Sequence, residues 1–144
     1  FARDVLRDVT AGLRDAVACA RKAGLKRDQL VLDPGIGFGK SFRQNYELLA
    51  HLDQLARLGY PLLVGTSRKT FIGATVAQAL LPVPASHGGK KGGEIPIAPP
   101  SERIWGTAAA VTAAILGGAH IVRVHDVSEM VQVARTADAV LGAS

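Results

Sequence analysis

Three short segments of this chain combine ionisable side chains with backbone able to bend sharply. Leu32-Asp33-Pro34-Gly35-Ile36-Gly37-Phe38-Gly39-Lys40 offers a carboxylate and a ring, Gly65-Thr66-Ser67-Arg68-Lys69 a hydroxyl and two cations, and Arg123-Val124-His125-Asp126-Val127 a guanidinium and an imidazole. Ionised, Asp33 presents two oxygens to a planar donor pair, which suits a guanidine-like edge. Lys69 is a compact cation able to reach a ring carbonyl or ring nitrogen, and Thr70 adds a donor. Arg123 and His125, two apart on a strand, share a face. In a buried strand they must be paired, with Asp126 the structural alternative, or must meet an anion such as phosphate or diphosphate.

Each segment also has a plainer reading. Asp33 alone would cap its turn, Phe38 would pack in the core or cover a bound aromatic, and Ser67-Arg68-Lys69 would be a solvated basic turn. Residues 34–41 are not a phosphate loop, because Pro34 stands where that motif needs its first glycine. They are not a dinucleotide fingerprint either, since Lys40 takes the third glycine's place. His51, His87 and His120 are isolated, and no Cys or His spacing makes a metal site. Cys19, the one cysteine, lies among alanines and reads as a small buried residue in a reducing compartment.

The elements that must hold these groups follow from periodicity. Val5, Val9, Leu13 and Val17 make one helical face over residues 4–23, and Gly24 stops it. Gln29–Asp33 reads as a short buried strand. Ser41 and Gln44 form a capping box for a helix whose leucines run from Leu48 to Leu58, as far as Gly59. Pro61–Gly65 reads as a second strand, continuous in apolar residues as expected when both faces are covered, and 69–81 as a short helix. Ser101 is expected to cap a helix running to Leu116. Ala119–Val124 is the third strand, and Ser128–Leu141 the last helix, with Met130, Val133, Ala134, Ala137 and Val140 or Leu141 on its apolar side. One helix followed by three strand-helix units implies an α/β fold with a parallel sheet, the three motifs lying at the strands' carboxyl ends.

At 144 residues, 48% hydrophobic and 20% charged, the chain suffices for one domain or part of one. Its start at Phe1, inside a helical pattern, reads as a cut. The net charge of +5 is scattered among acids with no basic stripe, which argues against nucleic acid. The most apolar stretch, 107–122, is too short to span a membrane. Residues 82–100 hold five of the seven prolines and four glycines and read as a flexible inserted loop.

The three motifs, together and in this order, resemble dihydropteroate synthases of the pterin-binding barrel family, over essentially the whole chain outside 82–100. The resemblance implies a partial TIM (β/α)8 barrel, residues 1–144 being the C-terminal part of a single domain with strands six to eight. It implies a cytoplasmic, homodimeric transferase of folate biosynthesis and a sulfonamide target. Its reaction condenses p-aminobenzoate with dihydropterin-6-ylmethyl diphosphate to give dihydropteroate. Motif by motif, Asp33, Gly65 and Lys69 are similar to pterin-binding positions, and Phe38 and Thr70 to the p-aminobenzoate side. Arg123, Val124 and His125 are similar to the diphosphate site, with Lys69, Arg123 and His125 as catalytic groups. Mg2+ is implied as cofactor, its protein ligand lying in an N-terminal half absent from this sequence, so that the isolated chain is expected to be inactive. Set against this are a methyltetrahydrofolate-dependent methyltransferase domain, which has no diphosphate to clamp, and a non-catalytic half-barrel binding module.

Overall fold

A computed structural model describes residues 4–80 and 95–143; most of the expected 82–100 loop therefore lies outside the described residues. The first helix, α1 (Val5–Lys22), begins where the Asp4 side chain accepts the Arg7 N–H at 2.9 Å. It ends as a paired turn around Gly24 at φ 94°, with Gly24 N–H bonded to Arg21 O and Leu25 N–H to Ala20 O. Val5 is buried and Leu6, Val9, Leu13 and Val17 pack partly against the core. Cys19 is exposed, contrary to expectation. Two residues beyond Val17 it has turned roughly 200° round the helix, away from that stripe.

The segment expected as a first strand contributes one residue. A 3-10 turn at Arg27–Gln29 consumes its start, with the Lys26 N–H held by Gln29 Oε1 at 2.8 Å, and Pro34 carries no N–H to extend it. Leu32 alone pairs, in parallel, with Leu62. The capping box forms as expected: Ser41 Oγ accepts the Gln44 N–H and Gln44 Oε1 the Ser41 N–H. The leucine-rich helix then divides at His51 into α2 (Phe42–Ala50) and α3 (Leu52–Ala56), while Leu48, Leu52 and Leu55 stay on one fully buried face.

Strand β1 (Leu63–Val64) leads to α4 (Thr70–Leu80), and after a 3-10 turn at Pro100–Glu102 come α5 (Ile104–Leu116), β2 (Ile121–Val122) and α6 (Val127–Gly142). Ser101 caps nothing. It sits inside the 3-10 turn, and Arg103 occupies the position before α5 without a side-chain cap. β1 and β2 are parallel, Leu63 facing Ile121 and Val64 facing Val122, so the order across the sheet is Leu32, β1, β2. In the central segment one face is fully covered, with Leu62 and Val64 buried, while Leu63 on the other face is half-buried. The third strand lies outermost among the described residues, with Ile121 42% exposed where burial was expected.

The main core joins Leu32, Leu62 and Val64 to Leu48, Leu52 and Leu55 and to Phe71, Ile72, Ala110 and Ala114 from α4 and α5. A second cluster locks α6 on α5 through Val111, Ile115, Met130 and Ala137. The expected apolar side of α6 stops short, since Val140 and Leu141 are exposed. The small residues of α5 allow close approach, and a Cβ at Gly106 would lie 2.5 Å from Ile72 Cγ2. Among the described residues no helix is long and apolar enough to cross a membrane.

Candidate functional site

A pocket of about 230 Å3 opens at the carboxyl end of the sheet, lined by Phe38, Gly65, Ser67, Lys69, Arg123, Val124 and His125. The chain between β1 and α4 supplies its centre, and that between β2 and α6 one wall. This is where parallel α/β sheets gather ligands, with the helix N-termini alongside.

Gly65 follows β1 with the Arg123 side chain laid against it: a Cβ there would be 3.0 Å from Nη2 and 3.3 Å from Nε. Arg123 is held at the backbone by its N–H on Val64 O at 3.0 Å. Its side chain and that of His125, both just beyond β2, are exposed and line the open pocket. Asp126 satisfies neither. It pairs with Arg68, Nε to Oδ2 at 3.0 Å and Nη2 to Oδ1 in a second, shorter contact. Arg68 holds the Asp126 carboxyl below the usual carboxylate range, and Asp126 raises the Arg68 guanidinium in turn.

Arg68 is the one non-glycine residue at positive φ, 57°, among the described residues. Its N–H is held by Thr107 Oγ1 at 3.1 Å and its carbonyl by buried Arg103 at 2.6 Å, bonds that offset the strain of the left-handed conformation. The turn points Ser67 and Lys69 together into the pocket while Arg68 turns aside to Asp126.

Ser67 is buried, and its Oγ accepts the His125 backbone N–H at 3.1 Å and lies 3.0 Å from the ring Nδ1. The direction of the Oγ–Nδ1 bond follows from the ring's tautomer, and either way it ties Nδ1 to Ser67 and leaves Nε2 without a partner in that bond. Ser67 therefore holds His125 at both backbone and ring, a role its motif alone does not reveal.

Lys69 places Nζ 3.7 Å from the centroid of the Phe38 ring, a cation-π contact. Burial, and then the Arg123 charge, lower the Lys69 ammonium below the ordinary lysine value, with Asp33 opposing. Phe38 is 60% exposed and outside the core. Asp33 is exposed and caps its turn, its Oδ1 accepting the Gly35 N–H at 2.8 Å. Its charge also acts on Lys69 and Lys40 from the rim. Thr70 lies exposed at the start of α4 and is not in the lining. The pocket thus gathers Phe38, Gly65, Lys69, Arg123, Val124 and His125, leaving Asp33 at the rim and Thr70 outside.

Two loop anchors have no place among the sequence candidates. Asn45 of α2 is 2% exposed, and its Oδ1 accepts the Gly37 N–H at 2.6 Å. The signal is there in retrospect: at helical spacing Asn45 shares the face of Leu48, Leu49 and Leu52, where a polar residue needs a partner. Lys40 Nζ donates to Gly35 O at 2.8 Å and Phe38 O at 3.0 Å. Among the described residues no three His, Cys, Asp or Glu side chains gather to hold a metal ion.

A family model described as pterin binding enzyme matches residues 1–125. The chain belongs to this family. It is 47% identical over 123 residues to the dihydropteroate synthase of a Synechocystis strain, covering 85% of this chain and 36% of that sequence. It is 40% identical over 140 residues to the Escherichia coli K12 synthase, covering 97% and 43%. The crystallised Xanthomonas albilineans synthase in complex with 7,8-dihydropteroate superposes with a TM-score of 0.80 at 35% identity, over 98% of this chain and 48% of that one. The chain spans less than half the length of each of these relatives.

Proposed function

We propose that the pocket is part of a dihydropteroate synthase site, one that joins p-aminobenzoate to dihydropterin-6-ylmethyl diphosphate. The observation that carries this reading is the convergence of Lys69, Arg123 and His125 on one pocket in a chain of the pterin binding family. In the reaction the arylamine nitrogen attacks the methylene carbon, the carbon-oxygen bond to diphosphate breaks, and the new C–N bond's nitrogen loses a proton. The leaving group gains negative charge, so positive and N–H groups aimed at it lower the barrier most. Arg123 supplies a planar fork for phosphate oxygens, and His125, oriented by Ser67, adds its imidazole beside it.

Lys69 holds a ring oxygen or nitrogen of the pterin, and Asp33 turns its second oxygen to the amino-pyrimidine edge. Phe38 flanks the arylamine. Holding the two substrates in line is the other main contribution, since no covalent intermediate on the protein is required. We assign the described strands to units six to eight of a (β/α)8 barrel, in a cytoplasmic homodimer. The cationic groups that line the pocket do not fit a Mg2+ site, which takes oxygen ligands.

The test grafts this chain into the E. coli synthase in place of the 140 residues it matches. The graft is expected to make dihydropteroate, and Lys69→Ala and Arg123→Ala each to lower kcat/KM by about a hundredfold or more. Full activity in both variants overturns the reading and favours a non-catalytic module.

A further inference from the structure

We propose that Asn45 is a positioning residue for Lys69, acting through the loop from Gly35 to Gly39. The inference rests on the assignment of Lys69 to the pterin. Gly35, Gly37 and Gly39 all lie at positive φ, 66°, 86° and 60°. Three such residues in five give the loop wide conformational freedom when nothing ties it down. Its one internal backbone hydrogen bond is Phe38 N–H to Gly35 O at 3.2 Å. Side chains do the rest: Asp33 takes the Gly35 N–H, Lys40 takes the Gly35 and Phe38 carbonyls, and Asn45 takes the Gly37 N–H.

Asn45 differs from the other two anchors in being buried on a helix and committed at both ends. Its Oδ1 accepts from Gly37 at 2.6 Å while its Nδ2 donates to Ser41 O at 2.9 Å. The carboxamide is therefore oriented by the start of α2, which is itself capped, and transmits that rigidity to Gly37. Gly37 is the point where the loop touches Lys69, since a Cβ there would lie 2.8 Å from Lys69 Cδ and 3.1 Å from Cε. The next residue, Phe38, sets its ring against Nζ. Lys69 thus has its methylenes braced by Gly37 and its ammonium faced by Phe38, both placed by one buried amide. Asp33 can turn toward a ligand without freeing the loop, because Asn45 and Lys40 remain.

The experiment uses the grafted synthase with Asn45→Ala and, separately, Gly37→Ala, which presses on the same contact from the exposed side and spares the core. Competitive acetylation of Lys69 across pH, read by mass spectrometry, reports its titration and its cover. Both variants are expected to move the Lys69 midpoint up toward the ordinary lysine value and to raise KM for the pterin diphosphate about tenfold to a hundredfold. The rise in KM is expected to exceed whatever fall in folded fraction follows from losing the buried amide or from alanine at the positive φ of Gly37. A Lys69 midpoint and pterin KM that stay at parent values in both variants, or kcat falling only with the folded fraction, overturn the proposal. Absence of activity in the unsubstituted graft counts against the synthase reading instead, and the acetylation profiles then decide the role of Asn45 alone.

Discussion

Replacing Gly65 by alanine in the grafted synthase should weaken the proposed reaction without weakening the fold. The new Cβ would stand 3.0 Å from Arg123 Nη2, 3.3 Å from Nε and 3.6 Å from Cζ, so the guanidinium must retreat by a few tenths of an ångström. It can do so, being the far end of a flexible, exposed side chain. Gly65 is not among the positive-φ residues, and removing a glycine's freedom at a compatible position stabilises by about 0.4–1 kcal/mol through the unfolded chain. The fold therefore holds or gains. With Arg123 on the diphosphate as proposed, a displaced guanidinium loses the alignment of a charge-assisted hydrogen bond of about 1.5–3 kcal/mol, which converts to roughly a tenfold to 150-fold drop in kcat/KM. The assay measures kcat/KM for the pterin diphosphate and the melting temperature of one grafted protein, alone and with Arg123→Ala. If the methyl acts through Arg123, it adds nothing once the guanidinium is gone. A kcat/KM within about twofold of the parent, or an equal loss with and without Arg123, would refute the reasoning; the second result would place the clash on the substrate itself.

Three further outcomes are expected of the chain. Gly106→Ala gains up to about 1 kcal/mol of helix propensity but drives a methyl to 2.5 Å from Ile72 Cγ2 and 2.9 Å from Val76 Cγ2. Overpacking of about 1–3 kcal/mol wins, and the urea midpoint should fall; a rise would show that α4 and α5 part freely. Asp126→Asn should destabilise at neutral pH and progressively less in acid. A carboxylate held below its ordinary value by Arg68 contributes fully above the unfolded-state value and loses that contribution as the pH falls through the folded one. Melting curves of parent and variant should therefore converge as the pH falls through and below the ordinary carboxylate range, and parallel curves would sink the assignment. Cys19, exposed on α1, should react with a thiol reagent at the rate of a free thiol in the folded chain; protection lost only on unfolding would place it in a core.

What could be read from the sequence divides along a physical line. Short-range signals hold: the Ser41–Gln44 cap, the Gly24 stop, the leucine face and the strand-to-helix turns that carry Asp33, Lys69 and His125 each depend on residues within a few positions. What depends on remote partners was less legible. Leu32 alone of its segment pairs, because extension needs an N–H that Pro34 lacks and residues that the 3-10 turn uses. Arg123 and His125 look buried from Ile121, Val122 and Val124, yet among the described residues both are exposed, in a chain that spans less than half the length of its relatives. Asp126 next to His125 suggests a local pair, whereas Arg68, brought close by the parallel register of β1 and β2, takes it with two hydrogen bonds. That choice matters chemically. Had Asp126 turned to Arg123 or His125, a carboxylate would compete with any anion for the positive charge. With Arg68 occupying it, and with the strained Arg68 backbone held by Thr107 and Arg103, the charge beside Gly65 stays available. The pair that looks peripheral is what keeps the pocket positive.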